Sequence, residues 1–139
     1  MKKTIFVASA IDDLPDKGME IRLQMECVLG KYYNLIGAGF GKNPIINFNN
    51  SRLRKKEIMD NDIKVIRKAD IFLIVTDLKT FSVGTWAEMW EAYTRGIPVS
   101  LYITGNKELH NIFLESICSH IVYNLKTFIK DVGIEINTD

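Results

Sequence analysis

Ile71-Phe72-Leu73-Ile74-Val75-Thr76, introduced by Ala69-Asp70, is an apolar run without a polar interruption before Thr76, and its reading decides the fold. A strand with one wet face alternates apolar and polar side chains. A continuous run belongs to a strand covered on both faces, as in parallel sheets between helical layers. Thr4 to Ala10 is a second run of this kind and makes the first strand. Between and beyond them, short β-rich runs alternate with longer stretches of helical period, the pattern of βαβ units.

Working outward, Pro15 and Asp16 open a helix that carries Met19, Leu23 and Cys27 at four-residue intervals and ends near Gly30. Tyr32 to Ile36 is the second strand. A helix from about Leu53 to Lys68 puts Ile58, Ile63 and Ile66 inward and leads into the central strand. Thr85 begins a helix that Gly96 ends, and Pro98 to Ile103 is the fourth strand. A helix near Leu109 to Ile117, a short strand near His120 to Asn124 and a last amphipathic turn complete the chain. The most economical architecture is α/β: a flavodoxin-like doubly wound five-stranded parallel sheet in a single domain over residues 1–139, with ligands bound outside the carboxyl ends of its strands.

Composition bounds the function. With 139 residues, 47% hydrophobic, 25% charged and a formal net charge of +1, the chain fits one domain and builds a core without staples. Balanced charge excludes the field of a dedicated duplex-DNA binder, so no nucleic-acid partner is expected. No apolar run approaches the roughly 20 residues that span a bilayer, so no membrane partner is expected either. Met1-Lys2-Lys3 imitates the start of a secretory leader, but the apolar stretch stops at Asp12-Asp13 without a cleavage pattern, and the expected location is cytoplasmic. Cys27 and Cys118 stand far apart with no Cys or His pairing pattern, so buried free thiols are expected rather than a bridge or a zinc site.

Three segments compete as sites. Gly37-Ala38-Gly39-Phe40-Gly41-Lys42 imitates a phosphate loop, but no Ser or Thr follows the Lys and Pro44 and an Asn-rich stretch replace the helix a Walker loop requires. Gly37 to Ser51 is therefore a long loop. Arg52, Arg54, Lys55 and Lys56 form a basic run without interleaved aromatics, which fits a solvated helix face better than a nucleic-acid surface. His110 and His120 share no ligand spacing with Cys or acidic residues, and neither a metal nor a cofactor is expected.

The third segment, Ser82-Val83-Gly84-Thr85-Trp86-Ala87-Glu88, directly follows the central strand. Thr85 and Glu88 have the spacing of a T-x-x-E capping box, which alone explains both residues. The same placement holds a carboxylate in the first turn of a helix, where the dipole is expected to keep it ionised, at the sheet edge where ligands bind. An ionised, rigidly held carboxylate is what a glycosidic nucleophile needs.

At this segment the chain resembles the nucleoside 2-deoxyribosyltransferase family, through Ala69 to Thr76, Ser82 to Glu88, then Ala92, Gly96 and Pro98-Val99, and further through Asn61-Asp62, Thr4-Ile5-Phe6 and Asn111. The resemblance implies that Glu88 is the nucleophile on the anomeric carbon and that Asp62 holds or protonates the leaving base. It assigns the sugar or its 5′ group to Ser82, Gly84 and Thr85, with Phe6 and Ser9 also on the substrate. It further implies that Asn111 reaches a sugar hydroxyl in a neighbouring subunit's site, hence a homo-oligomer, at least a dimer, acting on a nucleoside or nucleotide and a free nucleobase.

Three departures bear on the substrate. Ser82 stands where the transferases commonly have Asp, as in the related nucleoside 5′-monophosphate N-glycosidases, and this favours hydrolysis of a nucleotide. Ala10-Ile11-Asp12 stands where those hydrolases have Ser-Ile-Arg, which removes a phosphate partner and replaces a cation by an anion. Phe6 occupies the place of a Tyr that orients the catalytic Glu. The sequence thus leaves three functions open: base transfer, nucleotide hydrolysis, and a non-catalytic nucleotide-binding module.

Overall fold

The computed structural model describes residues 2–9, 15–37, 52–79, 83–105 and 108–136, the side chains at 9, 15–19, 52–55, 58 and 133–136 excepted. Ten elements follow one another: β1 (Lys3–Ser9), α1 (Pro15–Val28), β2 (Tyr33–Ile36), α2 (Arg52–Arg67), β3 (Ile71–Thr76), α3 (Val83–Thr94), β4 (Val99–Ile103), α4 (Ile112–Ile117), β5 (His120–Val122) and α5 (Leu125–Ile136). The strands form one sheet in the order β2-β1-β3-β4-β5, and every pairing is parallel. This is the flavodoxin-like doubly wound α/β architecture.

β3 is buried at every residue because its two faces meet different helical layers. Ile71, Leu73 and Val75 pack with Met25 of α1, Leu29 just after it, and Phe128 and Val132 of α5. Phe72 and Ile74 pack with Ile66 of α2, Met89 and Ala92 of α3, and Leu114 and Ile117 of α4. Each such large side chain contributes roughly 1.5–3 kcal/mol on burial, so β3 is the strand the fold can least afford to change.

Several expectations are corrected. The inward stripe of α1 is Ile21, Met25 and Val28, continued by Leu29 just beyond the helix; Leu23 is 54% exposed, and the Met19 side chain lies outside the described residues. Four-residue spacing alone fits more than one stripe of a helix, and here the burying stripe is the one whose branched and unbranched apolar residues reach Phe128. Cys27 follows Leu23 outward and is an exposed thiol, whereas Cys118 is buried as expected. The terminal amphipathic turn is a 12-residue helix whose Phe128 is fully buried. α3 begins at Val83, two residues before the expected Thr85.

Ile66 is fully buried and Ile63 partly buried, as the helical period predicted; the Ile58 side chain lies outside the described residues. So do residues 38–51 of the glycine- and asparagine-rich loop, residues 10–14, and the side chains of Arg52, Arg54 and Lys55. Gly37, which follows β2, takes a left-handed φ of 78°. A Cβ there would come within 2.7 Å of the Val7 carbonyl oxygen and 3.0 Å of the Phe6 ring. Among the described residues no helix is long and apolar enough to cross a membrane.

Candidate active site

The chain leaves β1 toward β2 on one side and leaves β3 toward β4 on the other, so the strand order reverses between β1 and β3. In doubly wound sheets the crevice at the carboxyl ends of such a pair is where ligands bind. The rim here is built from Ser9, registered beside Val75, and from the turn after Thr76. That turn is fastened by its own side chains: Leu78 N–H donates to Thr76 Oγ1 at 3.0 Å and Lys79 N–H donates to Asp77 Oδ1 at 2.8 Å. Leu78 adopts a left-handed φ of 66°, a conformation that costs a non-glycine residue roughly 1–2 kcal/mol. The chain therefore leaves the central strand by a turn fastened from Thr76 to Lys79.

Because α3 starts at Val83, Thr85 lies inside the helix and is buried, with 6% exposure. An N-cap residue has non-helical backbone angles and stands outside the first turn. The expected T-x-x-E capping box is thus not formed. Glu88 falls in the second turn and is partly buried. Burial first, and the charge of Asp62 second, lift its carboxyl from 4.5 to about 7. This corrects the expectation of a carboxylate kept ionised by the dipole. A rise of that size disfavours the anion by about 3 kcal/mol, against roughly 0.3–1 kcal/mol from a helix terminus.

Asp62 reaches the same place from α2, which packs against α3. It is partly buried, and burial raises its carboxyl too. The structure therefore brings together the two carboxylates the sequence singled out, on adjacent helices of one layer. Around them the remaining candidates divide. Gly84 is exposed in the first turn of α3. Phe6 is 3% exposed and belongs to the core of that layer, its ring stacked on Phe72 with centroids 5.5 Å apart and planes 5° from parallel. Ser82 and the side chain of Ser9 lie outside the described residues.

Asn111 stands at the start of α4, which also begins at the carboxyl edge. It is the N-cap: its Oδ1 accepts from the backbone N–H of Phe113 and of Leu114, each at 3.0 Å. Its side chain is exposed.

Two groupings escaped the sequence reading. Trp90 and Tyr93 of α3 meet at 5.6 Å, and Trp90 meets Phe113 of α4 at 6.2 Å, an aromatic cluster 45–58% exposed beside the 84%-exposed Ile112. The i, i+3 spacing of Trp90 and Tyr93 was its visible signal. Glu91 accepts from the Nε of Arg67 at 2.9 Å and from the Nε of Arg95 at 3.2 Å. The Arg95 partner was legible at i+4, the Arg67 partner was not.

No family model and no curated protein matches the chain. Solved structures do. A 2-deoxyribosyltransferase from the psychrotolerant bacterium Bacillus psychrosaccharolyticus superposes with a TM-score of 0.69 at 18% identity over 90% of this chain and 89% of that one. The CMP N-glycosidase BcmB of Clostridium botulinum gives 0.58 at 16% identity, covering 94% of this chain and 99% of that one. A conserved protein from Enterococcus faecalis V583 gives 0.70 at 16% identity, over 97% and 99%. At these identities the likeness is one of fold, and two of the three neighbours are the kinds of enzyme the sequence resembles.

Proposed function

We propose that the chain cleaves the N-glycosidic bond of nucleosides or nucleotides through a glycosyl intermediate on Glu88. The observation that carries the reading is the Asp62 and Glu88 pair, two raised carboxyls on the adjacent helices α2 and α3, one of which feels the charge of the other. A carboxyl titrating at about 7 beside a second raised one lets the pair hold one proton near neutrality. The charge of Asp62 raises Glu88, so that proton rests on Glu88 in the free pair, and the reacting state is the one in which it has passed to Asp62, leaving Glu88 ionised to attack and Asp62 able to donate.

In the attacking state Glu88 is the anion. Its carboxylate oxygen forms a bond to the anomeric carbon as the bond from that carbon to the base nitrogen breaks. Asp62 gives its proton to the departing nitrogen, so the base leaves neutral. In the second half-reaction the ionised Asp62 takes a proton from the incoming nucleophile, which displaces Glu88 from the anomeric carbon. A free nucleobase as nucleophile gives transfer, and water gives hydrolysis. Phe6 offers Glu88 no hydroxyl, so helix packing and Asp62 orient the carboxylate.

Hydrolysis of a nucleotide is the second reading, supported by Ser82 in the segment before Glu88 and by the fold shared with a CMP N-glycosidase. The non-catalytic alternative rested on the capping box, and that support is gone with the helix start at Val83. Asn111 would complete a neighbouring subunit's site through Nδ2, and the exposed aromatic cluster beside it supports a homodimer across this edge.

The test is incubation with deoxynucleosides and nucleoside monophosphates, with and without a free acceptor base, and chromatographic separation of products. Base exchange establishes transfer and free base alone establishes hydrolysis. Unchanged substrate in every arm overturns the enzymatic reading.

A further inference from the structure

Asp62 and Glu88 sit on different helices, so neither helix by itself sets the distance between them. α2 and α3 each return from the carboxyl edge to the next strand, so the two run parallel to one another. Along α2, Arg67 follows Asp62 by about 7.5 Å, and along α3, Glu91 follows Glu88 by about 4.5 Å, at the rise of an α-helix. The helices are thus bridged twice in the same order. The upper rung is a pair of carboxylates, which repel. The lower rung is Arg67 and Glu91, 2.9 Å apart, which attract.

Ile66 of α2 and Met89 and Ala92 of α3 share one core with Phe72, Ile74 and Leu101, and Val65 and Trp86 pack against it; this core seats both helices on the sheet. Among the described residues, Arg67 and Glu91 form the ion pair that passes between α2 and α3. The Glu91 side chain is 24% exposed, less than either arginine, and Arg95 at i+4 binds the same Oε1. Arg95 fixes the direction in which the Glu91 carboxylate faces, and Arg67 then ties α2 to it.

We propose that Glu91, oriented by Arg95 and bound by Arg67, is a positioning residue that sets the spacing of Asp62 and Glu88 across the α2 and α3 interface. The proposal rests on that pair being the reacting one. It assigns Glu91 no contact with substrate.

The test is a 13C NMR titration of the Glu88 side-chain carboxyl in the full chain, for Arg67→Met, Glu91→Gln and Arg95→Met, beside kcat and KM. Simple charge effects of the first two variants have opposite signs: removing a cation raises the Glu88 midpoint and removing an anion lowers it. Lost spacing acts in one direction in both, downward, because the Asp62 charge that raises Glu88 recedes. The expected result is a downward shift of about half a pH unit or more in both Arg67→Met and Glu91→Gln. Their kcat falls about 10-fold or more with KM nearly unchanged, since small displacements of reacting groups are costly in rate. Arg95→Met gives a smaller change of the same sign. The conservative Arg67→Lys, which keeps a cation facing Glu91, leaves the midpoint and kcat nearer wild type than Arg67→Met, and Glu91→Gln carries the test if Arg67→Met does not fold. Opposite shifts in Arg67→Met and Glu91→Gln, or a midpoint unmoved by every variant that folds, overturn the proposal. The midpoints are read without substrate. A chain that shows the shifts but cleaves no N-glycosidic bond overturns the proposed function alone, and an active chain with unmoved midpoints overturns the positioning role alone.

Discussion

Glu88 on α3 stands close enough to Asp62 on α2 that the Asp62 charge is, after burial, the second cause lifting the Glu88 carboxyl to about 7. Two partly buried acids held together across a helix interface cost stability whenever both are ionised. Among the described residues no cation lowers Glu88, although Glu91, three residues further on, is held below the usual range first by its hydrogen bond from Arg67 and also by Arg95. Two carboxylates near one another on α3 therefore have opposite electrostatics, and the one raised is the one that faces Asp62. Such an arrangement marks a reacting pair more readily than a structural one.

Glu88→Gln is expected to abolish turnover while stabilising the fold at alkaline pH. The native carboxyl titrates at about 7 against 4.5 when unfolded, so between those values the native state binds more protons. Stability from this group is fully present below 4.5 and is lost as pH rises through 7, by about 3 kcal/mol. A neutral amide escapes the loss. Urea denaturation at pH 5 should give nearly equal stabilities for the two proteins, and at pH 8 a more stable variant. Equal stabilities at both pH values would mean that Glu88 is not raised, and activity within a few fold of wild type would remove it as nucleophile.

The pH dependence of kcat/KM should show a falling limb near 7, where the pair loses the one proton it gives to the base, and Asp62→Asn should replace that limb by a rise at lower pH, where Glu88 ionises once the charge that raises it is gone. The same variant should lose a factor of roughly 10² to 10⁴ in rate, the usual worth of a general acid. The loss should shrink for substrates whose leaving group departs without a proton. A wild-type profile in Asp62→Asn would take Asp62 out of the site.

The sheet and its order were legible because burial on both faces leaves a plain mark, the unbroken run Ile71 to Thr76. The pair of acids was legible only through resemblance, since Asp62 and Glu88 lie 26 positions apart with no local pattern joining them. The start of α3 was misplaced because T-x-x-E is satisfied by sequence alone, whereas the helix already includes Val83 and Gly84. Leu23 and Cys27 were assigned inward because period alone does not choose between neighbouring stripes of one helix; the core around Phe128, more than a hundred residues later, does. The bridge from Arg67 to Glu91 was invisible for the same reason, being a contact between helices.

Gly37→Ala tests how the rim is built. At φ 78° the backbone is left-handed, and the added Cβ would meet the Val7 carbonyl at 2.7 Å and the Phe6 ring at 3.0 to 3.1 Å. Strain of this kind costs on the order of 1–3 kcal/mol. The ring is pinned against Phe72 on its other side, so it cannot retreat without opening the core. The variant should unfold at lower urea with an unchanged m-value. Unaltered stability would show that the Phe6 and Phe72 stack yields freely.

Asn111 has two separable jobs, and a cap-retaining substitution separates them. Its Oδ1 caps α4 through Phe113 and Leu114, so Asn111→Ala should cost about 0.5–2 kcal/mol whatever else the residue does. Asn111→Ser keeps a capping oxygen and removes Nδ2. If Nδ2 reaches a sugar hydroxyl in a partner subunit, Asn111→Ser should keep near-native stability and lose activity. Mixing Asn111→Ser subunits with Glu88→Gln subunits should then restore part of it, because each mixed dimer contains one site with both native residues. The comparison requires each variant assayed alone and subunit exchange demonstrated by mass. Exchange without recovered activity, or full activity in a proven monomer, would confine Asn111 to its cap and leave the chemistry of Glu88 as it stands.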